Sequence, residues 1–162
     1  MAYSITNPQI GMQPIAVTDT TQNHPLGTIV RAADPTLGEG EFIYLKGVAS
    51  TVVGSPVTYD LANYLTALAP VGANKPQPIA FAMSANVASQ YGWYQIGGNA
   101  KALKTSGLAL ASNAAVGILT AGKVAATGTG KEILGALTVA KCTAATLATL
   151  VINRPVMQGR VT

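Results

Sequence analysis

Short runs of β-forming residues, each ended by a turn signal, most constrain the fold of this 162-residue chain. From Gly27 onward, Val, Ile, Thr, Tyr and Phe gather in short stretches that Gly, Pro, Asn or Asp separates. This spacing predicts strands joined by tight turns and therefore an all-β domain, either a small β-barrel or a β-sandwich. The predicted strands are Thr28–Ala32, Phe42–Val48, Pro56–Tyr59, Ile79–Met83, Tyr91–Ile96, Ala100–Lys104, Ala115–Leu119, Lys123–Ala126, Ile133–Val139 and Leu147–Ile152.

Two stretches between these runs need separate interpretation. Gly97-Gly98-Asn99 is predicted to be a turn that separates two strands. Leu108–Ala115 is ambiguous, because its Ala and Leu residues favour a helical turn whereas Ser112-Asn113 interrupts the apolar run. We expect a strand edge and a turn there, with a short helix as the alternative.

Residues 1–26 differ in pattern from the rest of the chain. Pro8, Pro14 and Pro25 prevent a helix and a central strand at this spacing. We therefore predict an extended N-terminal arm whose apolar side chains dock on a partner; a disordered terminus is the alternative. Residues 27–162 then form a single β-rich domain with a short C-terminal tail. We expect the arm to add little to the stability of that domain.

The composition provides few groups for chemistry. The chain contains one His, one Cys and six acidic residues, while 49% of its residues are hydrophobic. Enzymes depend on positioned proton carriers and nucleophiles, which these residue types mostly supply. Only 10% of the residues are charged, against about 25% in ordinary domains. We therefore predict a protein that packs against other proteins, with no enzymatic activity, no cofactor and no metal.

Charge is distributed unevenly along the chain. Residues 1–60 contain two basic and five acidic residues, whereas residues 61–162 contain eight basic residues and one acidic residue. The basic part is suited to an acidic protein shell or to weak, nonspecific binding of nucleic acid. The basic residues are scattered singly and do not alternate with aromatic residues. We therefore favour the protein shell and predict no specific binding of nucleic acid.

Catalytic and phosphate-binding motifs are incomplete. Gly128-Thr129-Gly130-Lys131 resembles part of a phosphate loop, but that motif needs Gly at Ala125 and Ser or Thr at Glu132, so a hairpin turn fits better. His24 precedes a proline in the arm, which is a poor place for a hydrolase triad. Cys142 lies in an apolar stretch and is expected to be a small buried residue.

Targeting and membrane signals are weak as well. The first residues, MAYSITNPQIG, lack the basic and apolar regions of a secretory signal. The longest largely apolar stretch, CTAATLATLVI, is too short to cross a bilayer. We therefore expect synthesis and folding in a reducing cytoplasm and no contact with a membrane.

The order of several segments carries a family resemblance. Tyr91–Gly98, reading YGWYQIGG, is followed by Ala100–Thr105, Gly122–Ala126, Ile133–Leu137 and Leu150–Ile152. This order resembles the all-β capsid decoration, or cement, proteins of tailed bacteriophages, in which a G-W-x-Q-(I/V)-x-G strand precedes a small-residue segment, a hairpin, an I-(L/I)-G-x-A strand and a final apolar strand. The similarity covers roughly residues 40–162 and leaves the C-terminal tail unassigned.

The resemblance implies a function that agrees with the composition. Proteins of that family bind the outside of a phage head, commonly as homotrimers, and clamp neighbouring major capsid subunits against the pressure of packaged DNA. We therefore expect a virion location on the outer surface of the capsid, with the major capsid protein and further copies of the chain as partners. The alternatives are another virion component, such as a head fibre base, neck or tail protein, and a host-surface carbohydrate-binding module.

Candidate contact residues lie at both ends of the chain. In the arm, spaced apolar side chains would be costly to leave in water and are suited to pockets on a partner. In the tail, basic residues and one methionine offer a second anchor. The predicted capsid or subunit contacts are Ile5, Ile10, Met12, Ile15, Arg154, Met157 and Arg160.

Overall fold

The computed structural model describes residues 4–5, 11–72 and 74–159. Within these ranges the chain forms eleven β-strands and no helix, which confirms the all-β prediction. The strands are β1 (Ser4–Ile5), β2 (Ile29–Asp34), β3 (Gly38–Lys46), β4 (Pro56–Tyr59), β5 (Thr66–Leu68), β6 (Ile79–Ala82), β7 (Tyr91–Leu103), β8 (Ala115–Thr120), β9 (Lys123–Ala126), β10 (Glu132–Thr138) and β11 (Leu147–Met157).

The long strand β7 organises a single curled sheet. The main strand order is β1-β2-β3-β7-β11-β10-β8-β9, and β4, β5 and β6 branch from β7 through β6. The first part of β7 pairs with β3, whereas its second part pairs with β11. The sheet curls until Lys104, just after β7, forms a parallel bridge with Val124 of β9. The curl gives the C-terminal half a barrel-like shape around its own core.

Three hydrophobic clusters fill the fold. The largest lies inside the curled C-terminal half and includes Leu150, Ile118 and Ile133. A second cluster packs Val57 and Tyr94 between β4, β6 and β7. A third covers the other side of β3 and β7. It contains Ile15, Ala32, Phe42, Tyr44, Met83 and Trp93. Strands β3 and β7 are therefore buried on both faces, which explains their nearly continuous apolar runs.

The predicted turn at Gly97-Gly98-Asn99 is wrong, because β7 runs through it without a break. Gly98 has a φ of 89°, and the pairing of β3 with β7 shifts register between Glu41 and Phe42. The glycines thus mark a β-bulge, which bends the strand where it changes partner from β3 to β11. A bulge and a turn use the same residue type, so the sequence pattern does not separate them.

Gly98→Ala should destabilise the fold by about 1 to 3 kcal/mol more than Gly107→Ala does. Both glycines have positive φ, so both variants carry the same type of backbone strain. A Cβ at residue 98 would also clash with the Glu39 carbonyl oxygen, whereas nothing lies within 4 Å of a Cβ at residue 107. Denaturant unfolding of the two variants measures the difference. Equal free energies of unfolding would contradict the close approach of β3 at Gly98.

The sequence pattern predicted some of the other strand boundaries correctly and missed others. Strands β4 and β9 begin and end as predicted. Strand β5 was not predicted, because it is only three residues long and shows no clear alternation of polar and apolar side chains. Strand β11 continues to Met157, through residues predicted to be a tail, because a bulge around Arg154, with a φ of 41°, lets pairing with β10 resume. The ambiguous stretch 108–115 is a bridge at Leu110 and a turn, as expected.

Residues 11–26, which we call the strap, pack on the body instead of extending from it. Ile15 is buried in the third cluster beside Trp93. The backbone carbonyl of Gln13 accepts a 2.9 Å hydrogen bond from the Trp93 indole, and the Gln13 side chain accepts one of 3.0 Å from the Tyr44 hydroxyl. Asp19 pairs with Tyr91 through two backbone hydrogen bonds. These contacts contradict our expectation that the arm adds little to the stability of the domain.

Candidate protein-binding surfaces

The predicted contact residues of the arm are only partly available for a partner. Ile15 is buried and Met12 is half-buried, and both pack on the aromatic cluster of their own chain. Ile5 contributes its backbone to β1, where it pairs with Ala32. Ile10 lies outside the described residues. Ile15 therefore already fills a pocket within the chain.

The predicted contacts of the tail separate in a similar way. Met157 is buried in the largest core cluster, because β11 continues through it. Arg154 is exposed, and its guanidinium donates a 3.3 Å hydrogen bond to the Glu41 carboxylate on β3. Arg160 lies outside the described residues. Of the candidates in the tail, Arg154 is the one that the structure places on an exposed surface.

An apolar surface on β10 and β11 was not predicted from the sequence. Leu134 pairs directly with Val156, and Leu137 pairs directly with Val151, so four large apolar side chains stand together on the outer face of the two strands. All four are exposed, as is Val139 just beyond β10. We call these five residues the apolar stripe. The spacing of apolar residues along β10 could have indicated this surface. Strand alternation separates two faces, but both faces of β10 carry apolar side chains, so the sequence does not say which face is buried.

The apolar stripe borders a shallow groove of about 340 Å³. The groove is lined by Glu132, Leu134, Gly135, Ala136, Leu137, Val151, Ile152 and Asn153. Gly135 lies opposite the bulge of β11 and has a φ of 76°, and a Cβ there would lie 2.8 Å from the Asn153 carbonyl oxygen, so this lining position requires glycine. The groove has the size and character to accept an apolar side chain from a partner protein.

A charged cluster adjoins one end of the apolar stripe. Glu41 accepts hydrogen bonds from Arg31 at 3.2 Å and from Arg154 at 3.3 Å, and Glu39 is exposed nearby. These four residues line a depression of about 440 Å³, which shares Ile152 and Asn153 with the groove. We call Arg31, Glu39, Glu41 and Arg154 the charged cluster. It presents both signs of charge on a surface continuous with the apolar stripe.

The turn between β4 and β5, which we call the hairpin tip (residues 60–65), presents two more leucines. Leu61 is 69% exposed and Leu65 is 51% exposed, the highest values among the large apolar side chains that the structure describes. The Asp60 carboxylate accepts hydrogen bonds from the backbone N–H groups of Ala62, Asn63 and Leu65. These bonds hold the tip in one conformation, so its leucines need little ordering on binding.

The same hydrogen bonds shift the titration of Asp60. The Asn63 N–H contributes most and lowers the pKa of the carboxyl group below its usual value. Because the folded-state pKa is lowered, the contribution of these bonds is present at neutral pH and is lost as the pH falls through that lowered pKa. The hairpin tip therefore keeps its shape at neutral pH.

His24, Cys142 and Lys104 pack or form hydrogen bonds within the chain. His24 accepts a 3.1 Å hydrogen bond at Nε2 from the backbone N–H of Gln13, and its ring packs against Tyr44 and Trp93. Cys142 is buried. The buried ammonium of Lys104 donates to the backbone carbonyls of Thr105, Leu108 and Thr143. Within the described part of the chain, no group of three His, Cys, Asp or Glu residues is arranged to hold a metal ion.

Tyr91, Trp93 and Tyr94 do not form an exposed platform. Trp93 and Tyr94 are fully buried, on opposite faces of β7, and Tyr91 is half-buried. Burial also raises the pKa of the Tyr94 hydroxyl. Sugar-binding modules stack rings on exposed aromatic faces, so these three residues offer little to the carbohydrate-binding alternative.

Two further results describe the chain as a whole. Among the described residues, no helix is long and apolar enough to cross a membrane. Comparisons with protein-family models and with curated proteins find no match to this chain.

Proposed function

We propose that this protein is a capsid decoration protein that binds the outside of a tailed-phage head and clamps neighbouring major capsid subunits. Its work is then mechanical: it adds buried area between subunits and so slows rupture of the shell by packaged DNA. The support comes from the segment order that resembles this family, from the low content of charged residues, and from the exposed apolar surfaces.

The observation that carries the proposal is that large apolar side chains are exposed on rigid elements. The apolar stripe lies on two paired strands, and the hairpin tip is held by the Asp60 carboxylate. Strands β4 and β5 do not pair with β10 or β11, so the two surfaces belong to different parts of the sheet. A clamp must hold more than one protein partner, and two preorganised apolar surfaces allow one chain to contact the shell and a further protein chain at the same time.

We assign contact with the shell to the hairpin tip. Leu61 is the most exposed large apolar side chain that the structure describes, and a rigid apolar side chain is suited to a pocket on another protein. Asp60 directly precedes Leu61 in the chain. We therefore expect the pocket on the shell to be apolar, with a neutral or basic rim.

Leu61→Asp should reduce binding to purified heads that lack the protein by about tenfold or more, because a carboxylate cannot enter an apolar pocket without losing hydration. Cosedimentation with heads measures the occupancy. Leu119→Asp is the control, since Leu119 is also exposed but lies on β8, away from the hairpin tip. Failure of the wild-type protein to bind heads would overturn the proposed function. Equal binding by both variants would show that the hairpin tip is not the contact with the shell.

A further inference from the structure

The apolar stripe and the charged cluster together form one surface whose partner can be inferred. We propose that this surface binds a second copy of the same chain, related by a two-fold axis. The inference does not depend on binding to a phage head, since it concerns the purified protein alone. It also departs from the trimer that the family resemblance implies.

The apolar part of the surface favours a permanent contact. Leu134, Leu137 and Val151 stand exposed on paired strands, and Glu132 also lines the groove beside them. Interfaces between copies of one chain are more apolar than transient contacts, which resemble the ordinary protein surface. An apolar stripe on paired strands therefore suits a contact that forms once and persists.

The charged part of the surface favours a second copy over a partner of one sign. The charged cluster contains two arginines and two glutamates. An acidic partner would be attracted by Arg31 and Arg154 but repelled by Glu39 and Glu41, and a basic partner would meet the reverse. Glu41 already pairs with both arginines of its own chain. A second copy brings the same set of charges, so a two-fold axis can place the exposed Arg154 of one protomer opposite the exposed Glu39 of the other.

The groove provides a matching shape. Two sheets that pack face to face lie about 10 Å apart, with side chains of one filling spaces in the other. Leu137 and Gly135 both line the groove, and Gly135 contributes no side chain to it. In a two-fold contact, Leu137 of each protomer would enter the groove of the other. This self-complementary arrangement closes at two copies and leaves the hairpin tip free.

Sedimentation equilibrium of the purified protein tests the inference. We expect a mass of twice 16.4 kDa at micromolar concentration. Val151→Asp should raise the dissociation constant of the dimer by about tenfold or more, because it places a charge in the centre of the stripe. Val17→Asp is the matched control, since Val17 is 47% exposed and Val151 is 46% exposed, and it should leave the dimer intact.

An exchange of charges tests the two-fold axis without disturbing the apolar stripe. Glu39→Arg and Arg154→Glu should each weaken the dimer by about tenfold, and the double variant should regain most of the lost affinity. Circular dichroism checks that each variant is folded. A monomer or a trimer for the wild-type protein would overturn the inference. Equal behaviour of Val151→Asp and Val17→Asp, or no recovery in the double variant, would overturn it as well.

Discussion

Replacing Trp93 with alanine is expected to lower the free energy of unfolding by about 3 to 5 kcal/mol, enough to unfold a domain of marginal stability. Trp93 is fully buried and packs against His24, Tyr44 and the third hydrophobic cluster. Its loss leaves a large cavity and removes the indole hydrogen bond to the Gln13 carbonyl. Thermal melting followed by circular dichroism measures the effect.

Trp93→Phe serves as the companion variant. Phe keeps most of the apolar volume but cannot donate to Gln13, so its effect should be smaller than that of alanine. A Trp93→Ala protein that melts like the wild type but fails to bind its partner would show that Trp93 is a contact residue. That outcome would contradict its position in the core.

Removing residues 1–26 is expected to destabilise the protein by roughly 4 kcal/mol or more, because the strap is part of the fold. The truncation removes the buried side chains of Gln13 and Ile15. It also exposes one side of the aromatic cluster and leaves the hydroxyl of Tyr44 and the indole of Trp93 without their partners on the strap. Melting temperature and the intrinsic fluorescence of Trp93, the sole tryptophan, measure the loss.

A point substitution tests the contacts of the strap without shortening the chain. Gln13→Ala should cost about 1 to 3 kcal/mol, because it leaves buried polar groups unpaired. Gln22→Ala is the control, since Gln22 is exposed and its side chain donates a hydrogen bond to the carbonyl of His24. A truncated protein that melts like the wild type would restore the view of an arm independent of the body.

The two proposed surfaces divide the work of a clamp. The hairpin tip would hold the shell, and the apolar stripe would hold a second copy of the chain. Dimerisation would then double the number of tips that engage one head, which raises the overall strength of attachment beyond that of one site. A Val151→Asp variant should therefore bind heads more weakly than wild type, even though its own tip is unchanged.

Local patterns predicted the fold class and several elements. Strands β4 and β9 were predicted to the residue, because each is a short β-rich run between clear turn signals. The turn within residues 108–115 was also predicted, since Ser112-Asn113 interrupts the apolar run and Asn113 adopts a positive φ. These features depend on residues close together in the chain.

The candidate surfaces depended on contacts between distant residues. Ile15 and Met157 read as exposed anchors in the sequence, but the strap and the extension of β11 bury them. Arg154 on β11 reaches Glu41 on β3 because both strands pair with β7, β3 along its first part and β11 along its second part. The apolar stripe required the register of β10 against β11, which places Leu137 beside Val151.

The sequence by itself determined that this chain is all-β and poor in the residue types that enzymes use for catalysis. Turn signals depend on neighbouring residues, and composition is a total over the whole chain, so neither requires knowledge of the fold. Only the tertiary structure decided that the glycines at 97 and 98 bend a continuous strand, that the strap covers Trp93, and which apolar residues remain exposed. The physical reason is that burial and strand register follow from pairings between distant segments. A pattern of neighbouring residues does not contain those pairings.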